Sequence, residues 1–290
     1  MNKTGIGELG RPAFKKDGRV VVAKVGCTDG LEENILKAAN LAGGFGRICE
    51  SGDEILLKPN FNTADAPPAS SDPEFIKAIV KLLFKHGASK VVIGESSMMS
   101  LSTRKVMEET GMLARAKEAG AEVMCFDEGE WVRTDTGGKY LKRVSLPKSA
   151  LGSKKLIHAC CMKTHKWAKF TMSLKSSVGF MKPSKRIMLH ARHLEEKVAD
   201  LNLVVHPDLV IVDGRKCFIS GGPVCGELRN PNVVLASGDR IAIDAEAVKI
   251  IGSYEGSSLS ADPWVYTQIR RAVELGLGVK NEQEYTVISA

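Results

Sequence analysis

Apolar runs of strand length alternate with amphipathic stretches of helix length along this chain, and that alternation constrains the fold more than any other feature. A strand buried on both faces needs a continuous apolar run, whereas a helix laid over the sheet needs only one apolar stripe. A chain that alternates the two builds an α/β fold, a mainly parallel sheet flanked by helices. Strands are expected at Val20 to Val25, Glu54 to Lys58, Lys90 to Gly94, Glu122 to Phe126, Lys155 to Cys161, Asp208 to Asp213 and Asn232 to Ala236. Helices are expected near Leu31 to Ala42, Pro73 to His86, Thr103 to Ala119, Lys169 to Val178, His190 to Val204, Arg240 to Ile250 and Pro263 to Leu275. The stretch Trp131 to Val144, with Asp135 to Gly138 between short β-like runs, reads as a β-hairpin insertion near 131–146.

The helix after Ser71 is the best marked. Ser71-Asp72-Pro73-Glu74 offers a cap acceptor, a proline suited to the first turn and an acid near the positive end of the dipole. Phe75, Ile76, Ile79, Val80 and Leu83 then make one face, and His86-Gly87 supplies the stop. With 290 residues, 43% hydrophobic and 26% charged, the chain can bury a real core, and disorder, collagen and coiled coil are excluded. The length suits a single α/β unit or two lobes of about 150 residues with a cleft between them. There is no internal repeat, low-complexity tract or clear linker.

A net charge of +7 favours anionic partners. The basic residues at Lys15-Lys16, Lys154-Lys155 and Lys182 to Arg186 are scattered, and aromatics make up only 6%, so a nucleic-acid surface has little support. The expected partner is a small anionic ligand, with a redox protein as a further candidate. The seven cysteines are odd in number and dispersed, which argues against a secreted disulfide framework and for a reducing compartment. Met1 to Lys16 is polar, without an apolar leader core, and no run reaches about 18 apolar residues. A cytoplasmic protein with no membrane partner is expected.

In open parallel sheets, ligands bind beyond the carboxyl ends of the strands, where loops splay apart and helix amino termini point inward. Four expected strands run into polar groups there: Lys58-Pro59-Asn60, Glu95-Ser96-Ser97, Lys163-Thr164-His165 and Asp213-Gly214. Lys58, Lys163 and Lys175 could neutralise an anion, Asn60 orient it, His165 or His190 move a proton, and Glu95 or Asp213 assist. Two ammonium groups beside a histidine would hold it neutral enough to act as a base near pH 7. His193 could share the helix face of His190, while His206 reads as an ordinary loop residue. Each of these groups could equally be a solvated loop residue, and Lys58 could snorkel.

Gly221 and Gly222, before Pro223, could bring backbone amides to an anion or simply join two strands. Ser237 or Asp239 is the simplest cap for the helix that follows. Asp244, among apolar residues, requires a lysine, an arginine or a backbone amide as partner. For metal, His158, Cys160 and His165 could form one set, with Cys161 on the opposite strand face. Cys160, Cys161, Cys217 and Cys225 are candidate ligands of an iron-sulfur centre or another metal, although no dense cysteine motif occurs. The cofactor is otherwise unassigned.

The ordered set Leu57-Lys58-Pro59-Asn60, Val92-Ile93-Gly94-Glu95, Lys163-Thr164-His165, Ser173-Leu174-Lys175 with Gly179, His190, Val212-Asp213-Gly214, Gly221-Gly222-Pro223 and Asp239 through Asp244 resembles the uncharacterised family known as domain of unknown function 362. The resemblance spans Leu57 to Ile250. Many members carry a ferredoxin-like module, which implies redox work; no such cysteine motif stands in this sequence. The basic and histidine pieces also resemble, faintly, the lactate racemase group, whose enzymes move hydrogen at a hydroxy-acid carbon with histidines and lysine beside a nickel cofactor. That likeness carries no residue roles.

Three functions therefore stay open from the sequence: an enzyme acting on a small anionic metabolite by histidine acid/base chemistry, an iron-sulfur or other metal-binding redox protein, and a non-catalytic ligand-binding protein. Substrate, reaction type, oligomeric state and pathway are not legible.

Overall fold

The computed structural model describes residues 5–8 and 12–290; residues 1–4 and 9–11, within the polar start, lie outside the described residues. The strands are β1 (Lys15–Lys16), β2 (Arg19–Gly26), β3 (Glu54–Lys58), β4 (Lys90–Glu95), β5 (Glu122–Cys125), β6 (Trp131–Asp135), β7 (Arg143–Pro147), β8 (Lys155–His165), β9 (Lys169–Thr171), β10 (Leu209–Gly221), β11 (Gly226–Arg229), β12 (Val233–Ser237) and β13 (Tyr285–Ser289). The helices are α1 (Leu31–Leu41), α2 (Pro73–Lys85), α3 (Thr103–Glu109), α4 (Met112–Ala119), α5 (Ser173–Ser176), α6 (Pro183–His190), α7 (Leu194–Leu201), α8 (Arg240–Gly252) and α9 (Thr267–Glu274).

One large sheet runs in the order β1-β2-β12-β10-β8-β3-β4-β5, with β13 on β2, β11 on β10 and β9 on β8. From β10 through β8, β3 and β4 to β5 every neighbour is parallel, so these strands end at one edge. β12 runs antiparallel to both of its neighbours. The fold is thus α/β with a mainly parallel sheet, and β6 and β7 form the separate antiparallel hairpin that the sequence marks near 131–146.

Alternation sorts the strand residues between two faces. Ile55, Leu57, Ile93, Ile157 and Ile211 pack with α1 to α4 through Ile35, Phe75, Ile79, Met107 and Met112. On the other face Val210 and Val212 meet Leu174, Val198, Ile241 and Ile269 of α5, α7, α8 and α9. Asp72 caps α2 by accepting from the Glu74 amide, with Pro73 in the first turn as expected. Among the described residues no helix is long and apolar enough to cross a membrane.

Four expectations need correction. Thr103 to Ala119 is two helices, broken at Gly111, whose φ of 77° suits glycine. Lys169 to Val178 is not one helix: β8 continues past Cys161 to His165 and folds back as β9, so Lys169 opens a strand and only Ser173–Ser176 is α-helical. His190 ends α6 instead of starting a helix. Pro263 to Leu275 begins as a short 3-10 turn before α9. The sequence signal at Lys163-Thr164-His165 is polar, yet all eleven β8 positions are buried because β9, β10 and the loops beyond β3 cover them.

Candidate functional site

Where β3, β4 and β8 end, a cavity of about 350 Å³ opens, a size suited to a small molecule. Lys58 and Glu95 are the last residues of β3 and β4, and Lys163 and His165 sit two apart at the end of β8. Thr171 of β9 stands opposite Lys163 in the ladder. Lys175 comes from α5, and Arg186 and His190 from α6 one turn apart. All of these line the cavity, with Asn60 beside them.

The electrostatics are lopsided, since four cationic side chains, Lys58, Lys163, Lys175 and Arg186, line the cavity with Glu95 as the one carboxylate among the lining residues. Glu95 is fully engaged. Its Oε1 accepts from Lys58 Nζ at 2.6 Å and from the Ser96 amide at 2.8 Å, and its Oε2 accepts from the Phe61 amide at 2.9 Å. Lys58 also donates to the Pro59 carbonyl at 2.7 Å and lies over the Phe180 ring. Gly179 leaves room for this side chain, because a Cβ there would overlap Lys58 Cε and Nζ and displace the ammonium from its present place. Arg186 spends its guanidinium on the carbonyls of Met181, Ser97, Ser96 and Gly179, and so ties the loop after β4 to α6.

The other two lysines have no carboxylate. Lys163 donates to the Ala69 carbonyl, and burial lowers its pKa. Lys175 has no hydrogen-bond or ion-pair partner among the described residues. Burial, reinforced by the charges of Lys163 and Arg186, lowers its pKa to about 7. Two buried hydroxyls of the lining, Thr63 Oγ1 and Thr171 Oγ1, also lack a partner among the described residues. The cavity thus brings together two lysines without a carboxylate and two hydroxyls without a partner among the described residues, groups that cost free energy to keep from water unpaired.

His165 Nδ1 accepts from the backbone amides of Trp167 at 3.2 Å and Ala168 at 3.1 Å. An acceptor Nδ1 places the neutral ring's proton on Nε2. Burial, then the charges of Lys175, His190 and Lys163, push its pKa down to about 2, so the ring is neutral. His190, exposed at the end of α6, has Nδ1 3.1 Å from the Arg186 carbonyl, to which it must donate, so that in the neutral ring Nε2 is the acceptor. The chemistry available is therefore a fixed N–H donor at His165, a proton acceptor at His190 when its ring is neutral, and lysine side chains lining the same cavity.

Other candidates fall elsewhere. Asp213 is not in this cavity: it lines a separate one with Cys161, Asp72 and Arg215, where Arg215 binds it at 2.6 Å and 2.9 Å and bridges to Asp72. Asp213 is in phase with Leu209 and Ile211 and so projects to the sheet face that packs on α1 to α4, whereas Lys58, in phase with Leu56, projects to the other; Arg215, two residues on where the β10 ladder shifts register, pairs it there. Gly221 and Gly222 do not line the cavity, although Pro223 and Val224 do. The Gly222 amide donates to the Cys225 carbonyl at 2.6 Å, and a side chain at this φ of 67° would strike the Thr164 carbonyl, so packing explains both the turn and its glycine.

His158 is buried against Phe180 outside the cavity lining. His193 precedes the separate helix α7, without a side-chain capping bond, and shares no helix face with His190. Asp239 caps α8 through the Ile241 and Ala242 amides. Asp244 finds the backbone partner that its surroundings require, accepting from the Ser173 and Leu174 amides at 2.7 Å and 3.0 Å.

The four cysteines named as metal candidates do not gather. Cys160 and Cys217 lie in the core, Cys161 touches Ser71 on the other strand face, and Cys225 is exposed. Burial raises the thiol pKa of Cys160, Cys161 and Cys217, the reverse of what a thiolate ligand needs. Among the described residues no three His, Cys, Asp or Glu side chains come together to hold a metal ion.

Arg186, Thr63 and Thr171 are lining residues that the sequence reading did not single out. The signal for Arg186 was present: Lys182-Pro183 is a helix start, and 186 and 190 are one helical turn apart.

These features define an α/β protein with a cationic pocket and two differently tautomerised histidines at the carboxyl edge of its sheet. The chain belongs to the family described as Domain of unknown function (DUF362), which matches residues 55–249. It is also similar to a thylakoid-associated protein of Synechocystis sp., with 27% identity over 210 residues covering 70% of this chain and 64% of that protein, less than two thirds of its length.

Proposed function

We propose that this chain is an enzyme that binds a small anionic metabolite in the cavity beyond β3, β4 and β8 and moves a proton on it. The observation that carries the reading is Lys175, a half-buried lysine that lines the cavity with no hydrogen-bond or ion-pair partner among the described residues. An anion bound there, with Lys163 and the free hydroxyls of Thr63 and Thr171, satisfies groups that otherwise cost stability. His190, with its Nε2 lone pair, serves as base, and His165 donates from Nε2 to the oxygen on which negative charge develops. Lys58 and Glu95 act as a positioning pair that fixes the ends of β3 and β4, and Asn60 orients the bound group.

The reading includes a reducing, cytoplasmic compartment, supported by seven free cysteines of which five are buried. It includes a small molecule, not nucleic acid, as partner. The test is thermal unfolding in sulfate, phosphate and small carboxylates against chloride at equal ionic strength. Stabilisation by the oxyanions that disappears in Lys175→Met supports the site; equal stabilisation of parent and variant removes it.

A further inference from the structure

The floor of the cavity is charged, whereas its mouth is apolar. Met98, Met99, Trp167, Ile187 and Val224 line the same cavity as Lys175 and His165, yet all five are exposed, Met99 by 64%, Trp167 by 63% and Ile187 by 68%. They come from four separate segments: the loop after β4, the turn between β8 and β9, helix α6 and the turn after β10. A single exposed hydrophobe is ordinary, but convergence of four segments on one opening leaves a contiguous apolar surface that burial in the core does not explain. Trp167 stands edge-on to His190 at 5.3 Å, so the apolar wall begins at the histidine and runs outward.

We infer that the ligand is amphipathic, an anionic head with an apolar segment several carbons long, the head held by Lys175 and His165 and the segment laid against the rim. The inference rests on the anion site proposed above and adds the substrate class. It accounts for the order of the surfaces, since Lys58, Lys163 and Arg186 are buried and Lys175 half-buried while the apolar ring is exposed, as a molecule charged at one end requires. A highly polar metabolite would leave Trp167, Ile187 and Met99 in water even when bound.

The test is calorimetric titration of the full chain with straight-chain alkyl phosphates from methyl to octyl, kept below their micelle concentrations. Kd is expected to fall about threefold to fourfold for each methylene that reaches the rim, then level off. Met99→Ser and Ile187→Ser, both at exposed positions, should flatten that dependence while methyl phosphate keeps its affinity; Lys175→Met should weaken every member of the series. Binding that depends on Lys175 but not on chain length overturns the amphipathic ligand and leaves the anion site standing. No binding of any member, or binding indifferent to Lys175, overturns both. Uptake by phosphatidylglycerol vesicles with no gain along the soluble series assigns the rim to a bilayer surface and also overturns the proposal.

Discussion

His165 and His190 lie ring to ring, 6.4 Å between centroids and 21° between planes, and the backbone holds them in opposite tautomers. Two amides donate to Nδ1 of the first, and a carbonyl accepts from Nδ1 of the second. Nitrogen-15 spectra of the folded protein should therefore show His165 as the Nε2–H form, without titrating between pH 5 and 9. The unfolded chain protonates this ring below about pH 6.5 while the native state does not, so its contribution destabilises the fold as pH falls from about 6.5 towards 2. A His165 ring that titrates near its ordinary value would contradict the assignment.

Sulfate affinity should depend on pH through Lys175. Its pKa is about 7 in the free protein, and a bound anion must raise it. Affinity is then full below pH 7 and falls by about tenfold per unit above it, until the pKa of the complex is passed. In the unliganded protein the same depressed pKa makes stability rise between about 7 and 10.5, because there the unfolded chain holds the proton that the native chain has lost. Lys175→Met should flatten both slopes. Sulfate is the suitable probe, since it does not titrate in this range.

The Lys58–Glu95 pair is buried, with each side chain 2% exposed. Removing one partner strands a charge, so Glu95→Gln should cost about 3–5 kcal/mol in urea unfolding. The double variant Lys58→Met with Glu95→Gln should recover much of that loss, because methionine fills the stem volume without the charge. A double variant no more stable than the single one would show that Glu95 acts mainly through the Phe61 and Ser96 amides.

The central strands and the start of α2 were legible because there the period, the caps and the apolar runs agree. Glu54–Lys58 is observed at its expected bounds, and Asp72 caps as its sequence setting demands. The ends of β8 and β10 were not legible, because Lys163, His165 and Arg215 interrupt the apolar pattern and only a third dimension shows what covers them. Burial in this region belongs to the site: β8 keeps ionisable groups inside because its neighbours close over them. The grouping of Lys58, Glu95, Lys163 and His165 followed from parallel strands ending at one edge. Asp213 departed because it is in phase with Leu209 and Ile211 on the α1 to α4 face, where Arg215 pairs it, and a rule about strand ends does not say which face a side chain takes. His190 belonged to the site through a helix that the sequence reading had begun where the helix in fact ends.

Asp244 links stability to the site. It accepts from the Ser173 and Leu174 amides at the start of α5, the four-residue helix that presents Lys175. Asp244→Ala leaves two buried N–H groups unpaired and should cost about 2–4 kcal/mol, and Asp244→Asn, which keeps one good acceptor, about half of that. Burial raises the carboxyl pKa to about 7 against the two amides that lower it. The native state therefore holds a proton that the unfolded chain has released between about 3.8 and 7, so this group's contribution to stability falls as pH rises through that window and is lost above 7. Asp244→Asn should remove that slope from a plot of unfolding free energy against pH. Both variants should also weaken sulfate binding, because α5 loses the contact that fixes Lys175. Reduced stability with unchanged sulfate affinity would show that Asp244 supports packing alone and that Lys175 is positioned by other contacts.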